Sequence, residues 1–177
     1  YEDLVYGCEH FSIASISKEM QERTILINGL SKTYSMTGWR IGYMAAPLHI
    51  AKAAAAVQSH MTSNPNSIAQ YASCEALTNP AGREFIAQMV STFDERRKYI
   101  VKRINEIKDL GCITPCGAFY VMLNISRLFG KKTKQGIVLN GSMDVAESLL
   151  NYGVAIVPCI AFGDDNYLRL SYAISME

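Results

Sequence analysis

Two apolar runs rich in β-forming residues, Thr24-Ile25-Leu26-Ile27 and Ile41-Gly42-Tyr43-Met44-Ala45, bracket a polar loop that carries two cations. The runs predict buried strands. The loop reads Asn28-Gly29-Leu30-Ser31-Lys32-Thr33 and continues to Thr37-Gly38-Trp39-Arg40. A charge left unpaired in an interior is costly, so these strands restrict what the loop can be. A lone lysine between strands is ordinarily a solvated surface residue. Lys32 has a different setting: desolvation and nearby cations both lower a lysine pKa and supply free amine for imine formation. Arg40 would depress the lysine in this way and could grip a phosphate bidentately. Ser31 and Thr37 add hydroxyl donors, while Gly29 and Gly38 let backbone N–H groups face an anion. On chemistry alone the block reads as a phosphate cradle around a nucleophilic amine. It is not a Walker loop, because no GxxxxG precedes Lys32.

The rest of the composition excludes several classes. A formal net charge of +1 from 17 basic and 16 acidic residues offers no duplex-binding surface and no polybasic membrane patch. No apolar run approaches the ~20 residues that span a bilayer, and no signal-peptide pattern opens the chain. Five cysteines, Cys8, Cys74, Cys112, Cys116 and Cys159, form an odd set without a CxxC pair. They fit buried thiols in a reducing cytoplasm. Three histidines, His10, His49 and His60, have no ligand spacing, so no metal site is assigned. The ends, at Tyr1 and Glu177, read as cut.

Periodicity predicts the remaining elements. Ser17 is a candidate cap for a short helix over 18–23. A helix follows over 49–61, with four consecutive alanines from Ala53, and another over 67–77. From Phe85 the apolar positions Phe85, Met89, Phe93, Ile100, Ile104 and Ile107 outline an amphipathic helix of roughly 25 residues. Strands are predicted over 117–124, 154–157 and 167–173, with a helix over 143–152, and Arg127 to Gln135 reads as a solvated turn. The texture changes from α/β to α+β near the long helix, which places residues 1–80 in one domain and 81–177 in a second that starts with this interdomain helix. Arg169, within Tyr167-Leu168-Arg169-Leu170-Ser171-Tyr172, is by pattern a solvent-facing strand residue, with a carboxylate clamp as the functional alternative. Cys159, after Val157-Pro158, reads as an inert thiol.

The stretch Ser31-Lys32-Thr33-Tyr34-Ser35-Met36-Thr37-Gly38-Trp39-Arg40-Ile41-Gly42-Tyr43 closely resembles the pyridoxal-phosphate lysine segment of the class I/II aminotransferases, aspartate aminotransferase-like subgroup. Tyr1 to Tyr6, Pro115 to Tyr120, Gly153 to Pro158 with Ala161-Phe162-Gly163, and Leu168 to Ala173 resemble further family segments in the family's order. The resemblance implies pyridoxal 5′-phosphate as cofactor and α/β fold type I of the PLP-dependent transferases. It implies that only the C-terminal half of the family protein is present: the end of the large α/β domain, then the small α+β domain. Lys32 matches the lysine that forms the Schiff base and carries the proton between substrate Cα and cofactor. Arg40 matches the phosphate-binding arginine, Ser31 a phosphate hydroxyl ligand, Tyr1 the tyrosine bonded to the cofactor's 3′ oxygen, and Arg169 the clamp on the substrate α-carboxylate.

The implied activity is transfer of an amino group between an amino acid and a 2-oxo acid by a cytoplasmic homodimer, with no nucleic acid or membrane partner. The alternatives are a PLP-dependent C–S lyase of the same fold or a non-enzymatic aminotransferase-like regulatory domain. Three departures stand out. The family's aspartate at the pyridine nitrogen would lie three residues before Tyr1, which leaves the fragment expected to be inactive alone. The usual small pair after Val157-Pro158 is Cys159-Ile160, and Ser59 aligns with the arginine that binds the distal carboxylate in the best-known aspartate enzymes.

Overall fold

Side-chain caps start several of the helices in the computed structural model, which describes residues 1–176. Ser17 Oγ accepts from Met20 N at 3.2 Å and starts helix α1 (Lys18–Arg23), as its position predicts. Helix α2 (Leu48–Thr62) follows Pro47. Helix α3 (Ser67–Thr78) is capped by Asn66, whose Oδ1 accepts from Ala69 N at 3.1 Å. Asn79 both ends α3, donating its N–H to Glu75 O, and opens helix α4 (Pro80–Asn105) by accepting from Ala81 N at 2.9 Å. α4 therefore begins before Phe85. Pro80 suits a first helical turn, where its missing N–H costs nothing.

The chain divides into two compact units, Tyr1–Val90 and the remainder from Ser91, and the division falls within α4. In the first unit, strands β1 (Leu26–Gly29) and β2 (Gly42–Ala45) form a two-stranded antiparallel sheet, with Leu26 opposite Ala45 and Gly29 opposite Gly42. The expected burial of these strands is not observed. Ile27 is 81% exposed and Ile25 47%, because a sheet of two strands has no neighbour to cover its faces. The buried residues of this unit are instead Leu4, Tyr6, Leu30, Thr33, Met36, Ala69 and Ile86 among others, three of them on the loop after β1.

In the second unit the antiparallel order is β3-β4-β6-β5, with β3 Gly111–Cys112, β4 Tyr120–Asn124, β5 Val157–Pro158 and β6 Tyr167–Ser171. β3 has no apolar run to announce it. β5 lies later than the Val154-Ala155-Ile156-Val157 pattern predicts, since only Val157 and Pro158 pair with β6. The solvated turn expected over 127–135 is partly a small hairpin, in which Lys132 bridges Val138. Val121, Leu123 and Leu168 are buried on one sheet face, and helix α5 (Ser142–Leu150) packs on β5 and β6 with Val145 and Ala146 inward. Arg97 on α4 binds Asp94 through Nε at 2.8 Å and Nη2 at 2.6 Å, and its Nη1 donates to Pro115 O at 3.0 Å. This fork fixes the chain just before β4.

The ladder between β1 and β2 closes on glycine. A Cβ on Gly42 would lie 2.9 Å from the carbonyl oxygen of Asn28, a backbone atom that cannot swing away, whereas one on Gly38 would meet nothing within 4 Å. Gly42→Ala is therefore expected to destabilise by about 1–3 kcal/mol in denaturant unfolding, with Gly38→Ala within about 0.5 kcal/mol of the parent. Equal stabilities for the two variants would show that the strands can part at no cost.

Candidate functional site

The connection from β1 to β2 is a series of tight turns. Tyr34 N donates to Leu30 O at 3.1 Å and Ser35 N to Lys32 O at 3.2 Å, winding the chain once around Lys32. Leu30 and Thr33 are buried at 2% and 3% exposure, which anchors the turn from beneath and leaves Ser31 and Lys32 half-buried between them. A 3₁₀ turn follows at Thr37–Trp39, and Arg40 ends it in the left-handed conformation, φ 51° and ψ 47°. Ser35 is also left-handed, at φ 53°. Left-handed non-glycine residues carry strain and gather where surrounding structure imposes a functional geometry.

Arg40 is exposed, and its Nη1 donates to Thr37 O at 2.8 Å. Among the described residues no carboxylate pairs with it. With Gly38 and Trp39 it lines a cavity of about 550 Å³ whose other wall is the start of α3, Asn66, Ile68 and Ala69. That volume is in the range of small-molecule sites. A helix start directs unpaired N–H groups outward, so the cavity combines a guanidinium with backbone donors. Of the predicted site residues, Arg40 lines this cavity, while Ser31, Lys32 and Thr37 lie on the same β1–β2 connection; a guanidinium, two hydroxyls and a primary amine suit a phosphate monoester that also carries an aldehyde.

Tyr1 begins a turn in which Leu4 N donates to Tyr1 O at 2.9 Å, and Leu4 is fully buried. Two contacts pin this segment. Asn28 Nδ2 donates to Glu2 Oε2 at 2.6 Å, and Arg83 on α4 pairs with Asp3 at 2.9 Å. The segment is thereby fastened to the end of β1 that leads into the Lys32 turn. The Tyr43 phenol is held above its ordinary pKa by burial first and by the Glu2 carboxylate second. Tyr1, Ser31, Lys32 and Arg40 all belong to the first unit.

Arg169 belongs to the second unit, in the central strand β6, with Met122 and Val157 opposite it. It is half-buried rather than solvated. Its guanidinium carbon lies 4.7 Å from the centroid of Tyr120, a diagonal neighbour on the same face of β4, and 4.8 Å from that of Phe162. Within its unit, no carboxylate among the described residues pairs with it. The Cys159 thiol beside it is fully buried and held above its ordinary pKa by desolvation, against the pull of the Arg169 charge.

Sequence reasoning gave no role to Tyr120, Phe162, Ser142 or Asp165. The first two lie in stretches already noticed as Gly-Ala-Phe-Tyr and Ala-Phe-Gly. The other two carried no signal, because their partnership spans the chain from the start of α5 to the loop before β6. Asp165 Oδ1 accepts from Ser142 N at 2.8 Å and from Ser142 Oγ at 2.6 Å, and Ser142 Oγ in turn accepts from Ile160 N at 3.3 Å.

Comparison with known proteins places this geometry. The family model described as "Aminotransferase class I and II" matches residues 1–177. A probable aspartate/prephenate aminotransferase of Rickettsia bellii is 44% identical over 179 residues, covering 100% of this chain and 44% of the relative. The aspartate/prephenate aminotransferase of Cereibacter sphaeroides is also 44% identical, with the same coverage. Among solved structures, the aspartate aminotransferase of Rhizobium meliloti superposes with a TM-score of 0.93 at 40% identity, over 99% of this chain and 44% of that one. An aromatic aminotransferase from Pyrococcus horikoshii does so at 0.86 and 37%, over 99% and 44%. The chain thus spans 44% of the length of these relatives.

These matches correct two expectations. The family likeness is not limited to a C-terminal-half fragment, and the fold is not merely the end of a large domain joined to a small one. The family model runs through all of residues 1–177 as one fold-type I match. The lysine turn, α4 and the Arg169 strand are successive parts of one match, so the likeness is continuous along the chain and supports no description as a domain fragment.

The Asp165 carboxyl is held below the usual carboxylate range, first by the Ser142 hydroxyl and then by the Ser142 N–H. A depressed carboxylate stabilises the fold above its unfolded pKa, ~3.9, and that contribution disappears as pH falls through the lower folded value. The stability gap between the parent and Asp165→Asn is therefore expected in full at neutral pH and should close as pH falls below ~4. Urea unfolding across pH checks this; a gap that stays constant into strong acid contradicts it.

Proposed function

The chain belongs to the class I and II aminotransferases, and from that membership we propose that its protein moves an amino group between an amino acid and a 2-oxo acid, with Lys32 as the covalent and proton-carrying residue. The observation that carries this reading is the β1–β2 connection, where one amine, hydroxyl donors and a guanidinium with no carboxylate partner among the described residues share a strained loop, the guanidinium lining a cavity of about 550 Å³. The identities and superpositions of the relatives support the aminotransferase class and pyridoxal 5′-phosphate as cofactor.

Arg40, Ser31 and the N–H groups at the start of α3 would hold the phosphate, and Tyr1 would donate to the ring oxygen next to the aldehyde. Pyridoxal 5′-phosphate, when bound, supplies a carbon that takes the amine and a ring that spreads the electron pair left at the substrate Cα. Lys32 Nζ would hold the cofactor through its aldehyde carbon and, once freed by the incoming amino group, would take the proton from the substrate Cα and carry it, with water releasing the oxo acid. Arg169 would grip the α-carboxylate with its planar N–H fork and so limit how the substrate can turn. The names of the relatives support an acidic amino acid such as aspartate and an oxo acid such as prephenate as the substrate class.

Two finer readings complete the proposal. Leu48, Val57 and Met61 on α2, with Ile68 and Tyr71 on α3, are exposed apolar side chains that support association of two copies. Five free cysteines support a reducing, cytoplasmic setting. No helix among the described residues is long and apolar enough to cross a membrane.

Lys32→Ala is expected to lower amino-group transfer by ~10²–10⁴-fold or more in an assay pairing aspartate with 2-oxoglutarate. Arg40→Leu is expected to weaken pyridoxal phosphate about 10- to 100-fold in a cofactor titration. Transfer that survives the loss of Lys32, or a cofactor affinity indifferent to Arg40, would remove the basis for these roles.

A further inference from the structure

Arg169 makes two ring contacts and no ion pair among the described residues of its unit. Tyr120 and Phe162 lie at nearly equal distances, 4.7 and 4.8 Å from its guanidinium carbon. Rings at these distances attract the cation through their quadrupoles, while the N–H bonds that grip a carboxylate point along the guanidinium edge.

The two rings are held differently. Tyr120 stands on β4, continuous with a stack in which its centroid is 4.7 Å from that of Phe119, itself 5.5 Å from that of Phe93. Tyr172 N and Oη donate to Phe119 O and Ala118 O at 2.9 and 3.1 Å, fixing the entry to this strand. Phe162 has no such support, and 58% of it is exposed. It ends the 3₁₀ turn Cys159–Phe162, and the turn is fastened at its first half: Cys159 is fully buried, and Ile160 N donates to Ser142 Oγ. Ser142 is in turn fully buried and bound twice by Asp165. The fit allows no side chain before Ser142, because a Cβ on Gly141 would collide with the Asp165 carboxylate.

We propose that Phe162 is a positioning residue for Arg169, held over the guanidinium by the Ser142–Asp165 anchor, and that with Tyr120 it presents the arginine edge-on to a carboxylate. This rests on the reading of Arg169 as the α-carboxylate clamp. An exposed phenylalanine at the end of a tethered turn contributes little to the core, so its place is explained by the cation beneath it. A guanidinium that already has two attractive ring contacts loses little rotamer freedom when a carboxylate docks. Cys159 contributes bulk to the same turn, its thiol unused.

The test uses the cofactor-loaded protein and measures discrimination between an amino acid and its α-carboxamide, with thermal unfolding alongside. Phe162→Leu is expected to reduce the preference for the free carboxylate about tenfold, mainly through KM, with little change in unfolding temperature. Phe162→Trp, which restores a ring, should recover most of the preference, and Asp165→Asn should lower it as Phe162→Leu does. Arg169→Lys separates the two layers of the argument. If it leaves the preference unchanged, the carboxylate reading itself fails and the inference with it. If it abolishes the preference while Phe162→Leu keeps it, or if leucine and tryptophan behave alike, the clamp stands and the positioning role of Phe162 is overturned.

Discussion

The β1–β2 ladder ends on the pair Gly29–Gly42, where a side chain on Gly42 would crowd the Asn28 carbonyl, and the loop that carries Lys32 begins there. Backbone leaving a tight antiparallel pair must turn at once, and it does so around Leu30 and Thr33, whose burial fastens the loop from below. The residues between these anchors, Ser31 and Lys32, lie half-buried, and Arg40 beyond them is exposed. The chemistry assigned to Lys32 and Arg40 is a consequence of this constraint. A longer ladder would pull Ser31 and Lys32 into strand pairing, and a looser one would release Arg40 from its left-handed turn.

A second constraint, of different origin, governs Arg169. Strand alternation alone would put an arginine between Leu168 and Leu170 into water. The neighbours decide otherwise: Met122 and Val157 flank it across the sheet, and two rings lie at cation–π distance. Among the described residues of its unit the charge meets two ring quadrupoles and no carboxylate. An arginine arranged in this way keeps its hydrogen-bonding edge available, which is what a reversible anion site requires.

Local signals were the legible ones. Ser17 capped the helix its position implied, the break at Asn66 and the double use of Asn79 follow from their side chains, and the 3.6-residue period located α4. Strand burial was misread because Thr24-Ile25-Leu26-Ile27 states what the strand is made of and not what covers it. β3 and the hairpin around Gly136 were missed because pairs of one or two residues leave no period to detect. At the site, the chemically unusual side chains were visible in the sequence, whereas their supports were not. Phe162, Ser142 and Asp165 are ordinary residues made important by contacts spanning up to 23 positions, and no spacing rule connects them. The supposed limits of the family likeness were corrected by the match over residues 1–177, since motifs mark where chemistry lies and not how far a fold extends.

The central claim is that Lys32 forms the covalent bond to pyridoxal phosphate. Borohydride reduction of the cofactor-loaded protein followed by peptide mapping measures this directly, because a reduced imine survives digestion. The account predicts one pyridoxyl adduct, on the peptide containing Lys32 and absent from Lys32→Ala. An adduct on Lys52 or on any lysine of the second unit, or a loaded protein that yields none, would contradict it.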